Sequence, residues 1–125
     1  PPSFLKEKSR IVFVPVPLSK KKLKKRGFNQ SEEIAKELSL CLGIPLLTNA
    51  LVKIKETPSQ TNLTEEERIK NVEGAFFVQN KEKIENKKIL LVDDVFTTGA
   101  TMEECAKVLK KAGAKKVIGI VLARE

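Results

Sequence analysis

The chain has no histidine, tryptophan or tyrosine. Without imidazole there is no Ser-His-Asp arrangement, no histidine general base and no histidine metal site. Any chemistry is left to carboxylates, lysine, arginine and backbone dipoles. Cysteine is nearly as scarce. Cys41 and Cys105 stand far apart with no CxxC pair, which argues against a zinc site within these residues. Both fall on the apolar side of a predicted helix, so two buried free thiols are expected, as suits a reducing, cytoplasmic setting. No apolar run approaches the length of a membrane span, and no membrane insertion is expected. Pro1-Pro2-Ser3 opens nothing with the form of a secretory signal, and the missing initiator methionine reads as an excised or N-terminally shortened domain.

What the chain does have is positive charge. Lysine and arginine number 24 against 16 acids, a formal net charge of +8, and that excess favours anionic partners: phosphorylated metabolites, nucleic acid or an acidic surface. At 125 residues with 41% apolar content, it reads as one globular domain, residues 1–125. The sequence leaves homo-oligomerisation open.

Ile11–Val16 is a β-branched run that ends in Pro15-Val16-Pro17, a strand followed by a stiff loop. The basic stretch Lys20–Arg26 continues that loop to Gly27-Phe28. Asn29, with Glu32 three residues on, has the form of a capping box, and Ile34, Ala35, Leu38, Cys41 and Leu42 follow at helical spacing until Gly43 and Pro45. Leu46–Lys55 is a strand candidate. Glu56–Asn71 reads as a long polar loop with one short helical turn at Thr64…Glu67. Ala75–Val78 is a strand and Asn80–Asn86 a charged turn. Ile89–Val92 is the central strand, Met102, Cys105, Ala106 and Leu109 mark the core face of a helix ending at Gly113, and Val117–Leu122 is a last buried strand. This alternation predicts an α/β fold with a mostly parallel twisted sheet flanked by helices. The Leu46 and Ala75 strands, joined by little helix, are expected to pair as a flexible antiparallel flap.

Lys88–Thr101, K-I-L-L-V-D-D-V-F-T-T-G-A-T, is the most informative segment. An apolar strand ends on two acids, Asp93 and Asp94, and a turn with Thr97, Thr98, Gly99 and Thr101 leads into a helix. In open α/β sheets, ligands sit beyond the carboxyl ends of the strands. Adjacent acids there suit a diol or a cation, while hydroxyls, a glycine turn and a helix N-terminus suit a phosphate. A molecule carrying ribose and phosphate satisfies both. Alone, the turn could be an ordinary strand–helix connection capped by threonine. Two acids at the end of a buried strand, however, cost stability unless solvated or liganded. Receiver domains of two-component signalling share a V-D-D strand end, but there it follows the first strand. Here the acids come at positions 93 and 94 of 125.

This run resembles the phosphoribosyl pyrophosphate (PRPP) motif of type I phosphoribosyltransferases. Val14-Pro15-Val16-Pro17-Leu18, Arg26-Gly27-Phe28-Asn29-Gln30, Gln60, Arg68 and Asn71 resemble, more narrowly, the ComF family of competence-associated proteins. The likeness runs from about Ile11 to Arg124, and R-G-F-N-Q is its most family-specific part. Full-length members commonly carry an N-terminal cysteine-rich zinc module, which this sequence does not contain.

The resemblance implies a type I phosphoribosyltransferase-like fold and a set of roles. Asp93 and Asp94 would bind the ribose 2′- and 3′-hydroxyls. They open a PRPP-binding run that continues through Val95, Phe96, Thr97, Thr98, Gly99, Ala100 and Thr101, the stretch from Thr97 cradling the 5′-phosphate. The loop Leu18–Gly27 would face the pyrophosphate with Lys25, Arg26 and Gly27. Gln60, Arg68 and Asn71 would belong to a flap that closes over the site. Mg²⁺ would be held through the pyrophosphate and ribose hydroxyls with few direct protein ligands, Asp93 and Asp94 being the candidates. Catalysis would be electrostatic, with Asp93, Asp94 and Arg68 as the catalytic set. Purine-salvage relatives place an Asp in the turn where this chain has Thr97, and no hood segment is evident, so the acceptor nucleophile stays open. The implied setting is DNA uptake, with competence proteins as partners. A rival reading is a non-catalytic module that senses PRPP or a nucleotide, or associates with single-stranded DNA. Against the DNA reading, most of the phenylalanines read as core, Phe28 included.

Overall fold

A computed structural model of the chain describes residues 10–57, 62–96 and 99–124. Its centre is a parallel three-stranded sheet in the order β1-β4-β5, formed by β1 (Ile11–Pro15), β4 (Lys88–Phe96) and β5 (Lys116–Arg124). β1 pairs with β4 from Ile11–Lys88 to Pro15–Val92, and β4 pairs with β5 from Lys88–Lys116 to Phe96–Arg124. A separate antiparallel ribbon joins β2 (Leu51–Lys53) to β3 (Phe76–Val78). The parallel sheet and the antiparallel flap are both as the sequence predicts. The Leu46–Lys55 strand is shorter than expected, because Leu46 makes only one parallel bridge, to Phe13, before the chain turns away.

Five helices lie among the described residues: α1 (Lys20–Arg26), α2 (Gln30–Leu42), α3 (Glu65–Val72), α4 (Lys81–Ile84) and α5 (Ala100–Lys111). α1 replaces the expected basic loop. Ser19 caps its start by accepting from the Lys22 amide, and Gly27 ends it at φ +87°, a left-handed conformation that glycine adopts without a Cβ clash. Asn29 caps α2 through the Ser31 amide rather than through a box with Glu32. α3 is two turns, not one. Its capping box is complete: Thr64 Oγ1 accepts from the Glu67 amide, and the Glu67 carboxylate accepts from the Thr64 amide. Arg68 and Asn71 therefore ride on a helix rather than a loop. α4 is one turn within the expected charged turn.

The strand period of two divides the core. Val12, Val14, Ile89 and Leu91 face α5 and the ribbon, packing with Leu51, Phe76, Cys105 and Leu109. Phe13 and Val92, with Leu90 and Ile120 beside them, face α2 and its Ala35. Two expectations fail here. Cys41 is exposed with its neighbours Leu40 and Leu42, so only Cys105 is a buried thiol. β5 is not a buried strand either. It lies at the edge of the described sheet, and Ile118 and Leu122 are exposed.

Candidate functional site

β4 continues through the acids instead of stopping before them, so Asp93 and Asp94 sit in its last turns of pleat. Alternation extends the Ile89–Leu91 row to Asp93 and the Leu90–Val92 row to Asp94. Asp93 thus projects on the α5 side and Asp94 on the α2 side. Both carboxylates nevertheless meet one side chain from α2. Ser31 Oγ lies 3.2 Å from Asp93 Oδ1 and 3.5 Å from Asp94 Oδ1, and it accepts from the Asp94 amide at 3.2 Å. That amide also donates to Asp93 Oδ1 at 2.9 Å. A single hydroxyl proton serves one carboxylate at a time, and Asp93 is the nearer acceptor.

The start of α2 is held in place from below. The Asn29 side-chain Nδ2 donates to the Val16 carbonyl at 3.0 Å, and the Val16 N–H donates to the Val92 carbonyl at 2.8 Å. The loop after β1, the first turn of α2 and the end of β4 therefore form one hydrogen-bonded unit, with Ser31 only 3% exposed at its centre. Burial first, and then the neighbouring Asp94 carboxylate, push Asp93 up to about 6, while the Ser31 hydrogen bond pulls the other way. Two carboxylates held this close repel each other, and hydroxyl donors or a cation would relieve that repulsion.

After β4, Gly99, which has no side chain to cap with, precedes α5 at φ +84°. The N-terminus of this three-turn helix follows directly on the strand that carries the acids, a position that favours an anion. Ala100 is buried and Thr101 half-buried in that first turn. Thr97 and Thr98 lie outside the described residues, as do the side chains of Val95 and Phe96 and the whole of Gln60. Arg68 and Asn71 are half-buried on α3, which packs against α5 on the Asp93 side of the sheet. Lys25 and Arg26 are exposed on the last turn of α1, with Gly27 as its cap. Among the described residues, no group of three His, Cys, Asp or Glu side chains is placed to hold a metal ion.

Two residues escaped the sequence reading. Ser31 follows R-G-F-N-Q directly, and the N-cap assignment of Asn29 already put it in the first turn. Its role shows only once α2 is laid against β4. Lys53 shares the core face of the ribbon with Phe76, its Nζ 5.7 Å from the ring centroid and 2.7 Å from Thr57 Oγ1. Burial, and then Lys22, lower its pKa. A partly desolvated cation on the side of the sheet that holds Asp93 and Cys105 is a ready partner for an anion.

A groove of about 700 Å³ runs beside this unit, between α1 and the ribbon. Pro17 and Asn29 line it, but Asp93 and Asp94 do not. It is a neighbour of the acid site and not its cavity.

Residues 23–125 match the family described as the phosphoribosyl transferase domain. Competence protein F of Haemophilus influenzae is 37% identical over 112 residues, 89% of this chain and 49% of its own. Competence protein ComFC of Streptococcus pneumoniae is 37% identical over 120 residues, 96% of this chain and 51% of its own. The chain belongs to the phosphoribosyl transferase domain family, on its ComF branch. It spans about half the length of those curated relatives. The fold agrees: a purine phosphoribosyltransferase from Pyrococcus horikoshii superposes with a TM-score of 0.54 at 23% identity, over 98% of this chain and 64% of that one. The expected type I architecture is therefore the observed one, a parallel sheet between helices with a small antiparallel ribbon.

Proposed function

We propose that the chain binds PRPP beyond the carboxyl end of β4 and transfers its phosphoribosyl group to a nucleophile, in a cytoplasmic pathway linked to DNA uptake. The observation that carries this is the Asp93–Asp94 pair, side by side on the central strand, sharing the Ser31 hydroxyl and followed by a glycine turn into a helix N-terminus. Two carboxylates that both reach one Ser31 hydroxyl, at 3.2 and 3.5 Å, can each accept from one of two neighbouring ribose hydroxyls. The first amides of α5 match a 5′-phosphate. The DNA-uptake setting rests on the competence proteins that resemble this chain. No described helix is long and apolar enough to cross a membrane.

The donor set suits Mg²⁺ held through the ligand's own oxygens, because the described residues offer two adjacent acids and no third. When bound, the ion would offset the charge of the pyrophosphate. The protein's own task is then to orient the ribose and to keep positive charge near the leaving group. In the transfer, the C1–O bond breaks with its electron pair leaving on pyrophosphate, and the nucleophile supplies the pair that forms the new bond to C1. We assign that charge to Arg26 on α1, Arg68 on α3 and Lys53 on the ribbon, because cations near the leaving pyrophosphate lower the barrier.

Calorimetry with PRPP and Mg²⁺ tests the pocket. Wild-type protein should bind, and an Asp93→Asn, Asp94→Asn double variant should not; equal affinity in both would sink the reading. Pyrophosphate release across a panel of acceptors tests the transfer. Turnover no higher than that of the double variant would leave a PRPP sensor in place of a transferase.

A further inference from the structure

The start of the parallel sheet gathers the chain's excess positive charge. Arg10 precedes β1, Lys87 and Lys88 lead into β4, and Lys115 and Lys116 lead into β5. The ladder sets them at one level. The Lys88 N–H donates to the Arg10 carbonyl and the Lys115 N–H to the Lys87 carbonyl, both at 2.8 Å, and Lys88 pairs with Lys116. α5 ends beside them on Lys110 and Lys111, and the Lys110 ammonium donates to the Lys115 carbonyl at 3.2 Å. α4, just before β4, adds Lys81 and Lys83. Residues 81–88 and 110–116 with Arg10 thus hold nine of the 24 lysines and arginines but only two of the 16 acids, so the rest of the chain is close to neutral. Those two are Glu82 and Glu85, and Lys81 meets the Glu85 carboxylate at 3.5 Å.

Apolar side chains reach the same level. α2 runs back toward the strand starts, because the chain after it enters beside Phe13 in parallel with β1. From Ser31 at the acids to Leu42 it covers about 16 Å, as far as β4 covers from Asp93 back to Lys88. Its last turn leaves Leu40 75% and Leu42 52% exposed.

We propose that this end of the protein rests on the surface of an anionic bilayer, without spanning it. The lysines lie against the headgroups, and Leu40 and Leu42 reach the acyl boundary. Cations set at one level suit a charged plane, which all of them approach together, and each adds to the attraction. The leucines supply the second signal that stable surface binding needs. Single-stranded nucleic acid fits less well. A line of phosphates tracks only part of such a plane, and no stacking platform stands there: the exposed aromatics among the described residues, Phe28 and Phe77, lie after α1 and on the ribbon. The inference does not rest on the PRPP reading. This end contains none of the residues assigned to PRPP, and a docked protein would turn the Asp93 end of β4 toward solution.

Vesicle co-sedimentation tests this, with phosphatidylcholine alone and with about 30% phosphatidylserine added. The protein should partition at least about tenfold more strongly onto the anionic vesicles, and less so as salt rises. Lys111→Glu, Lys115→Glu and Lys116→Glu together, all at exposed positions, should cut that partition about a hundredfold. The same reversal at Lys21, Lys24 and Lys36, exposed on α1 and α2, should cut it far less. Leu40→Ser with Leu42→Ser should cut it about tenfold. Circular dichroism should match wild type throughout. Equal partition onto the two kinds of vesicle would overturn the proposal, as would equal losses in the two lysine triples. It would also fall if oligo-thymidylate released the protein from the vesicles and itself lost affinity in the first triple.

Discussion

Ser31 on α2 donates its hydroxyl proton to Oδ1 of Asp93 on β4, 3.2 Å away and 62 residues later in the chain. The same oxygen receives the Asp94 amide. Helix and strand therefore meet through one buried hydroxyl at the point where the two acids diverge. Ser31→Ala should leave the fold intact and lower stability by about 1 kcal/mol, the usual net value of a hydrogen bond to a partly buried group. PRPP affinity should fall with it, because the carboxylates lose the group that spaces them. Urea unfolding and calorimetry on the same variant read the two effects. Ser31→Thr, which keeps the hydroxyl, should recover part of the affinity.

The ligand-free protein should become more stable as pH falls from 7 toward 5. Asp93 is raised from its ordinary 3.8 to about 6 by burial and by the Asp94 carboxylate. Between those values the folded state holds more protons than the unfolded one, so this group's contribution to stability declines as pH rises through the window. Urea midpoints at half-unit steps should show the decline between pH 3.8 and about 6, levelling off above it. Asp93→Asn should flatten it, and a flat wild-type profile would show that the acid pair is not under strain.

The two thiols should differ sharply in reactivity. Cys41 is exposed on the last turn of α2, whereas Cys105 is fully buried under the sheet, and burial raises its thiol well above the ordinary range. Iodoacetamide under native conditions should modify Cys41 alone, and Cys105 only after denaturation. Intact-mass spectrometry with peptide mapping distinguishes one adduct from two.

Much of this architecture was legible wherever the signal was local. The apolar run before Asp93, the Gly43 stop and the Thr64…Glu67 box each encode their structure within a few residues, and all three appear as expected. The errors came where tertiary context decides. α1 lacks an apolar period because nothing buries it, so its lysines read as a loop although Ser19 and Gly27 cap it at both ends. Cys41 keeps helical spacing with Ala35 and Leu38, but the last turn of α2, with Leu40 and Leu42, stands exposed. The apolar composition of β5 suggested burial, yet among the described residues no helix covers Ile118 and Leu122. Phe28, expected in the core, is 46% exposed beyond the Gly27 cap. At the site, the acids and the Gly99 turn were readable from residue order. Ser31 and Lys53 were not, because each acquires its role only from strands and helices distant in sequence.

Function and stability should oppose each other at Asp93. In the absence of ligand its half-buried carboxylate stands beside the Asp94 carboxylate and accepts from the Ser31 hydroxyl and the Asp94 amide. Asparagine keeps the shape and one acceptor oxygen while removing the repulsion and the cost of burying a charge. Asp93→Asn should therefore raise the urea stability of the ligand-free protein at pH 8 by something on the order of 1 kcal/mol, with little change at pH 5, where the wild-type group is mostly protonated. The same variant should bind PRPP more weakly, because an amide accepts from a ribose hydroxyl less strongly than a carboxylate does. A stabilising substitution that loses ligand is the pattern of a residue kept under stress for binding. A variant that was instead less stable at pH 8 and bound PRPP normally would make Asp93 a structural acid, and would move the ribose contact elsewhere on β4.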